Sequence, residues 1–177
     1  MEGAEHSLHS SQREILIEHL FAGEVMRHLW LRGVYNLEVL KPQVDDSGYD
    51  LVLETASIVR HVQLKSTKRG SSLNHVNINL HLAQKPSGCV ILIEFDPATL
   101  ELGPFYWFGG PPGQRLPEIS TFHAAKHTKG NAKGEKLERP NIRQIPRSKL
   151  ERLDTIEQVV VGLFGREPFL GSQTRSA

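Results

Sequence analysis

The stretch GYDLVLETASIVRHVQLKST, residues 48–67, decides the fold. Two runs rich in Val, Leu and Ile, 50–54 and 58–65, flank the small residues Thr55-Ala56-Ser57, the pattern of a β-hairpin. Gln63 and Lys65 are two apart, so on a strand they project from one face. A loop with an even number of residues, Ala56-Ser57 or Thr55–Ile58, sets Asp50 opposite Gln63 and gathers Asp50, Gln63 and Lys65 on one face. A three-residue loop slips the register by one and turns Asp50 away.

Upstream, Ser11-x-x-Glu14 has the form of a capping box and predicts a helix over about 12–31, stopped near Gly33. With Glu24 as zero on a helical wheel, Ile17, Leu20, His28 and Leu31 fall within about 40° of it. A carboxylate in an apolar stripe needs a partner, because burying it unpaired costs several kcal/mol (roughly 3 or more). A divalent cation, Lys65 or His28 would serve; Glu18 is the second choice for the helix acid. Asp50 and Glu24 offer hard oxygen ligands for Mg²⁺ or Mn²⁺, with the Gln63 amide oxygen and the Leu64 carbonyl as further donors. Lys65 would orient or deprotonate an attacking water, or stabilise a phosphoryl oxyanion.

Downstream, Val34–Leu40 reads as a strand before a loop, 41–49. The alternation of 75–82 predicts a strand, 89–95 a buried strand, FYWF (105–108) an aromatic strand before the turn GGPPG, and 141–145 a short strand. Asp154-x-x-Glu157 predicts a second capping box and a helix over about 155–164 ending at Gly165. The fold expectation is α/β, a mixed β-sheet flanked by helices. One domain spans 1–165, and a disordered tail is expected over 166–177.

Composition constrains partners. No apolar run approaches the ~18 residues a membrane span needs, no secretory leader is visible, and the single cysteine, Cys89, sits in an apolar run as a small hydrophobe. A cytoplasmic location is expected. The net charge is +1, yet His123–Lys149 holds eight Lys/Arg against two acids. That concentration predicts a polyanion partner.

Taken together, AGE (22–24), Gly33 ending the helix, GYDLVLE (48–54) and VQLKST (62–67) resemble the PD-(D/E)XK nuclease superfamily, closest to its Mrr-like and Holliday-junction-resolvase-like branches, over roughly residues 14–110. The resemblance implies a restriction-endonuclease-like fold and a metal-dependent endonuclease acting on DNA. Asp50 matches the family's metal-binding Asp, Gln63 and Lys65 its Glu/Gln-x-Lys, and Glu24 its helix acid. The catalytic set is then Glu24, Asp50, Gln63 and Lys65, with Glu24, Asp50, Gln63 and Leu64 around Mg²⁺ (or Mn²⁺). Lys68, Arg69, Lys126, Lys129, Lys133 and Lys136 would hold the nucleic-acid backbone. A homodimer would serve duplex cleavage. Three departures stand out: no Pro immediately precedes Asp50, Pro42 lying eight residues earlier; Gln63 replaces the commoner Glu, removing a negative charge; and no helix is obvious between the third and fourth strands. The rival readings are a catalytically inactive binding module on the same fold and a partner-dependent defence or toxin effector. Zinc is disfavoured, since His75/His81 and His123/His127 are isolated pairs. Base stacking by 105–108 is weaker than a core role.

Overall fold

The computed structural model describes residues 9–44, 47–127, 134 and 136–166. Lys129, Lys133 and the tail beyond Arg166 lie outside them. Helix α1 (Ser10–Trp30) is followed by strands β1 (Glu38–Leu40), β2 (Leu51–Thr55), β3 (Ile58–Lys68) and β4 (His75–Asn79). Next come α2 (Leu80–Gln84), β5 (Gly88–Phe95), β6 (Leu102–Gly109), β7 (Ala124–Lys126), β8 (Glu138–Pro146), β9 (Glu151–Leu153) and α3 (Ile156–Phe164).

The hairpin turns on two residues, Ala56 and Ser57, with Thr55 opposite Ile58 and Leu51 opposite Val62. Ala56 takes the left-handed conformation, φ 53°. The even-loop register therefore holds, and Asp50 N–H donates to the Val62 carbonyl at 2.9 Å. Beyond that bond the β2 chain leaves the sheet, while β3 runs on against β5.

A six-stranded mixed sheet results, in the order β1-β2-β3-β5-β6-β9, with β3 and β5 parallel and every other pair antiparallel. All eight residues of β5 are buried, as befits a central strand covered on both faces. On one face Val62, Cys89, Ile91, Ile93, Phe105 and Trp107 pack under α1 and α3. On the other, Val90, Leu92, Tyr106 and Phe108 pack against Val76, Ile78 and Ile145 of a three-stranded sheet, β4-β8-β7, and against Leu82 of α2. The fold is thus α/β, with helices over one face of the main sheet and a small sheet over the other.

Several local expectations shift. The Ser11–Glu14 capping box does not form: α1 begins two residues earlier, and its N-cap His9 makes no side-chain bond. At the other helix the box moves by one residue to Thr155 and Gln158. The strand expected over 34–40 shortens to β1. The alternating 75–82 segment divides into β4 and the one-turn helix α2, capped by Asn79 Oδ1 accepting from His81 N–H at 3.0 Å. All four residues of FYWF are buried, alternating between the two cores, so they are not available for base stacking. Cys89 is buried as expected, and that burial pushes its thiol up to about 11.

Candidate functional site

The site is built where β2 leaves β3. In the regular ladder Leu64 N–H would bond to the backbone of a continuing β2; instead it donates to Asp50 Oδ2 at 2.7 Å. The carboxylate closes the ladder and is fixed at the fork. The chain can turn away there because Gly48 is left-handed (φ 74°) and buried: a Cβ on it would meet Asn79 Cβ at 2.5 Å. Next to it, Tyr49 packs edge-on against His61, ring centroids 4.9 Å apart.

The fork opens into a cleft of about 460 Å³ under the first turns of α1, bordered by Glu14, Glu18, Asp50, Leu64, Lys65 and Ser66. Asp50 and Lys65 thus share a cleft with two helix carboxylates, Glu18 and, one turn before it, Glu14. Glu24 is a correction. Its carboxylate takes Arg27 Nη2 at 2.7 Å on an open surface and does not border the cleft. The wheel explains why. The observed buried stripe is Ile17, Phe21, Val25 and Leu29. It centres about 80° from Glu24, on the side of Glu14 and Glu18, which lie at about 80° and 120°. Leu20 and Leu31, which drew the expected stripe toward Glu24, are exposed. The signal available in the sequence was the i, i+4 pair Glu14/Glu18, aligned with Ile17 and Phe21 rather than with Leu20.

Gln63 lies beside Asp50 across the ladder but does not border the cleft. It is only 7 % exposed, and its Oε1 makes no hydrogen bond among the described residues. By alternation Gln63 and Lys65 share the sheet face of Val90 and Leu92, whereas Leu64 faces α1. The fork is the point at which both faces reach one opening. Glu18 also receives the Lys41 ammonium. No group of three His, Cys, Asp or Glu side chains is disposed to hold a metal ion among the described residues. His123 and His127 flank β7 rather than sharing a helix face.

Farther along β3 a second opening, about 530 Å³, is bordered by Ser66, Lys68, Arg69, Ser71 and Ser72 together with Arg13 of α1. Lys68 sits at this rim. Arg69 is committed elsewhere: Nε and Nη2 donate to the Gly103 carbonyl at 3.2 and 3.0 Å, and Nη1 lies 3.5 Å from Asp96. Those contacts, and not a free phosphate-facing role, fix its guanidinium. In the basic segment, Lys126 and Lys136 border a cleft of about 550 Å³ with His123, His127, Glu138 and Gln144. Arg143 donates to the carbonyls of Ser120 and Pro140. Arg147 pairs with buried Glu94 and lies 4.1 Å from the Tyr106 ring centroid. Arg143 is thus held by carbonyls around the small sheet, and Arg147 ties the chain after β8 to β5 and β6 of the main sheet. No helix among the described residues is long and apolar enough to cross a membrane.

No protein-family model matches this chain, and no curated protein and no solved structure matches it. The functional reading therefore stands on the fork and its side chains.

Proposed function

We propose that the chain is a metal-dependent nuclease that hydrolyses phosphodiester bonds, with DNA as the substrate. The observation that carries this reading is the fork: a carboxylate fixed by a backbone N–H, helix carboxylates and a lysine border one cleft, and a buried amide oxygen with no bond lies next to it. The donor set fits a hard divalent cation. Asp50 and Glu18 would supply carboxylate oxygens and the Leu64 carbonyl a neutral one, all from the cleft lining, and Gln63 Oε1 would have to reach in from just outside it. Mg²⁺ uses one or two carboxylates plus waters and substrate phosphates, so a three-carboxylate cage is not required. Mg²⁺ or Mn²⁺ held there would lower the pKa of a bound water and neutralise phosphoryl charge.

The remaining chemistry belongs to the chain. Asp50 cannot swing, because its carboxylate also completes the β3 ladder. Lys65 borders the same opening and would orient the attacking water or offset charge developing on the phosphate. Ser66 borders both openings along β3 and Lys68 the second, which would guide the neighbouring backbone phosphates past the fork. Lys126 and Lys136 would add a salt-sensitive contact from the small sheet.

The test is nicking of supercoiled plasmid with Mg²⁺ or Mn²⁺ by wild type, Asp50→Ala and Lys65→Ala. Cleavage by wild type alone is expected. Equal cleavage by all three would overturn the assignment. A second reading, a binding module without catalysis, is favoured by one feature: Lys41 already neutralises Glu18, and Gln63 brings no charge. Metal-independent binding of DNA with no nicking by wild type would select it.

A further inference from the structure

Among the described residues two ion pairs withdraw their acid from water, and they are built differently. Glu94 is held by Arg147, whose guanidinium is itself largely covered and lies over the Tyr106 ring. Glu18, with a side chain 14 % exposed, is held by Lys41, which is 48 % exposed. We propose that Lys41 is an exchangeable counter-ion: it neutralises Glu18 while the cleft lacks a cation and gives the carboxylate up to a divalent cation bound there. The exchange rests on the nuclease reading above and states how the metal site of that reading is loaded.

Glu18 needs a positive partner, because a carboxylate largely withdrawn from water is costly when unpaired. Its Oε1 is buried and meets the Lys41 ammonium as an ion pair without an aligned hydrogen bond. The hold is therefore Coulombic, a point charge on a flexible stem, unlike the stacked guanidinium that fixes Glu94. Lys41 can leave without moving its backbone. It follows Leu40, which pairs with Val52 at the end of β1, and precedes Pro42. Its ammonium reaches Glu18 from outside the cleft lining, half in water, so release only swings the stem outward. The charges then decide the exchange. Glu18 borders the cleft together with Asp50 and Lys65. Once Glu18 shares a divalent cation, Lys41 is drawn by one negative charge and repelled by two positive ones at little greater distance. Bulk water is the better place for it. Arg147 meets no such competitor, since Glu94 does not border the cleft.

Zero-length cross-linking tests the exchange. A carbodiimide joins a carboxylate to an amine in contact with it, and the other ion pairs of the described residues use arginine, which it does not join. In metal-free buffer wild type is expected to give a Lys41–Glu18 cross-link, mapped by mass spectrometry, and to lose it in saturating Mn²⁺. Mn²⁺ affinity, read by electron paramagnetic resonance, is expected to rise at least about 5-fold in Lys41→Met, the worth of one half-exposed ion pair. A merely structural lysine would leave that affinity equal or lower. The cross-link is read on wild type, so it decides even if the variant fails to fold. No cross-link without metal, a cross-link that persists with Mn²⁺ bound, or Mn²⁺ held no more tightly by folded Lys41→Met would overturn the exchange and leave the metal site standing. Mn²⁺ bound by neither protein would overturn the metal site and the exchange with it.

Discussion

Strand β3 changes neighbours halfway, and its two halves treat buried polarity in opposite ways. Residues 58–62 pair with β2, and residues 61–68 pair with β5. The first half carries Arg60, which is fully buried. Its guanidinium donates to the carbonyls of Gly110, Pro111 and Gly162 and lies 5.0 Å from the Trp107 ring centroid. Every one of those partners is a structural element, and the charge ties the loop after β6 and helix α3 to the sheet. The second half carries Gln63, three residues on and on the other face; its oxygen is left without a bond, as is Arg60 Nε, but among the described residues no other side-chain atom of Gln63 is tied to the fold as the Arg60 Nη nitrogens are. Buried polar groups are ordinarily satisfied, so the contrast separates a residue that builds the fold from one kept open for something else.

The largest effects should divide along that line. Arg60→Ala leaves three carbonyls without donors and a cavity under Trp107, a loss of roughly 4 kcal/mol or more. Urea unfolding should show it, or the variant should fail to fold. Asp50→Ala should leave a folded protein and cost about 10³-fold in nicking, or roughly 4 kcal/mol of barrier. Should Asp50→Ala unfold the chain while Arg60→Ala retains full stability, the division between the halves is misplaced. Next in size is Gly48→Ala. It adds a side chain at φ 74° where Asn79 stands 2.5 Å away, which should cost about 2–3 kcal/mol and displace Asp50 with it. Stability and nicking should therefore fall together, unlike either preceding variant.

Gln63 gives a smaller, sharper test. Replacing a buried acceptor that has no partner by an apolar group of similar shape removes a desolvation penalty, so Gln63→Leu should be stabilised by about 1 kcal/mol. If the oxygen is kept for a cation, the same variant loses nicking and Mn²⁺-dependent thermal protection. A destabilised Gln63→Leu would mean the amide supports the core after all. Gln63→Glu restores the commoner carboxylate and should tighten Mn²⁺ protection, since a charged oxygen binds a hard cation better than a neutral one.

How much of this was legible beforehand depends on the reach of each signal. The hairpin was readable because strand period and loop parity are local: Ala56-Ser57 fixed the register that puts Asp50 beside Gln63. The central strand 88–95 announced itself by unbroken apolarity. Glu24 misled because the wheel counts apolar residues without knowing which side is covered. Leu20, Leu31 and Trp30 are as greasy as Phe21 and Val25, and a helix with two apolar faces has no unique inward direction. The small sheet was hidden for another reason. β4 and β8 pair across some sixty-five residues, His75 with Pro146 through Asn79 with Ile142, and no local pattern encodes that match. Arg147, one more cation in a basic run, gave no hint of its bond to Glu94.

The smallest effect concerns His61, the first residue of β3 paired to both neighbours. Burial lowers its pKa below 6.5; Lys85 nearby adds to the shift, and the contact of its Nδ1 with the Pro86 carbonyl, at 3.0 Å, opposes it. The folded state therefore holds the neutral ring more readily than the unfolded chain does. In the unfolded chain the ring titrates near 6.5, so its contribution is complete above that pH. It is lost as pH falls through the lower folded value, because the unfolded state then binds more protons. His28 is lowered in the same direction by burial and by Arg32, so it must be controlled for. The urea midpoint of wild type should fall between pH 7.5 and 5.5, and His61→Phe, which retains the ring contact with Tyr49, should flatten part of that slope in a His28→Phe background. An unchanged slope would place the acid sensitivity outside the first half of β3. It would also leave the fork, where Asp50 completes the ladder, as the next element to test.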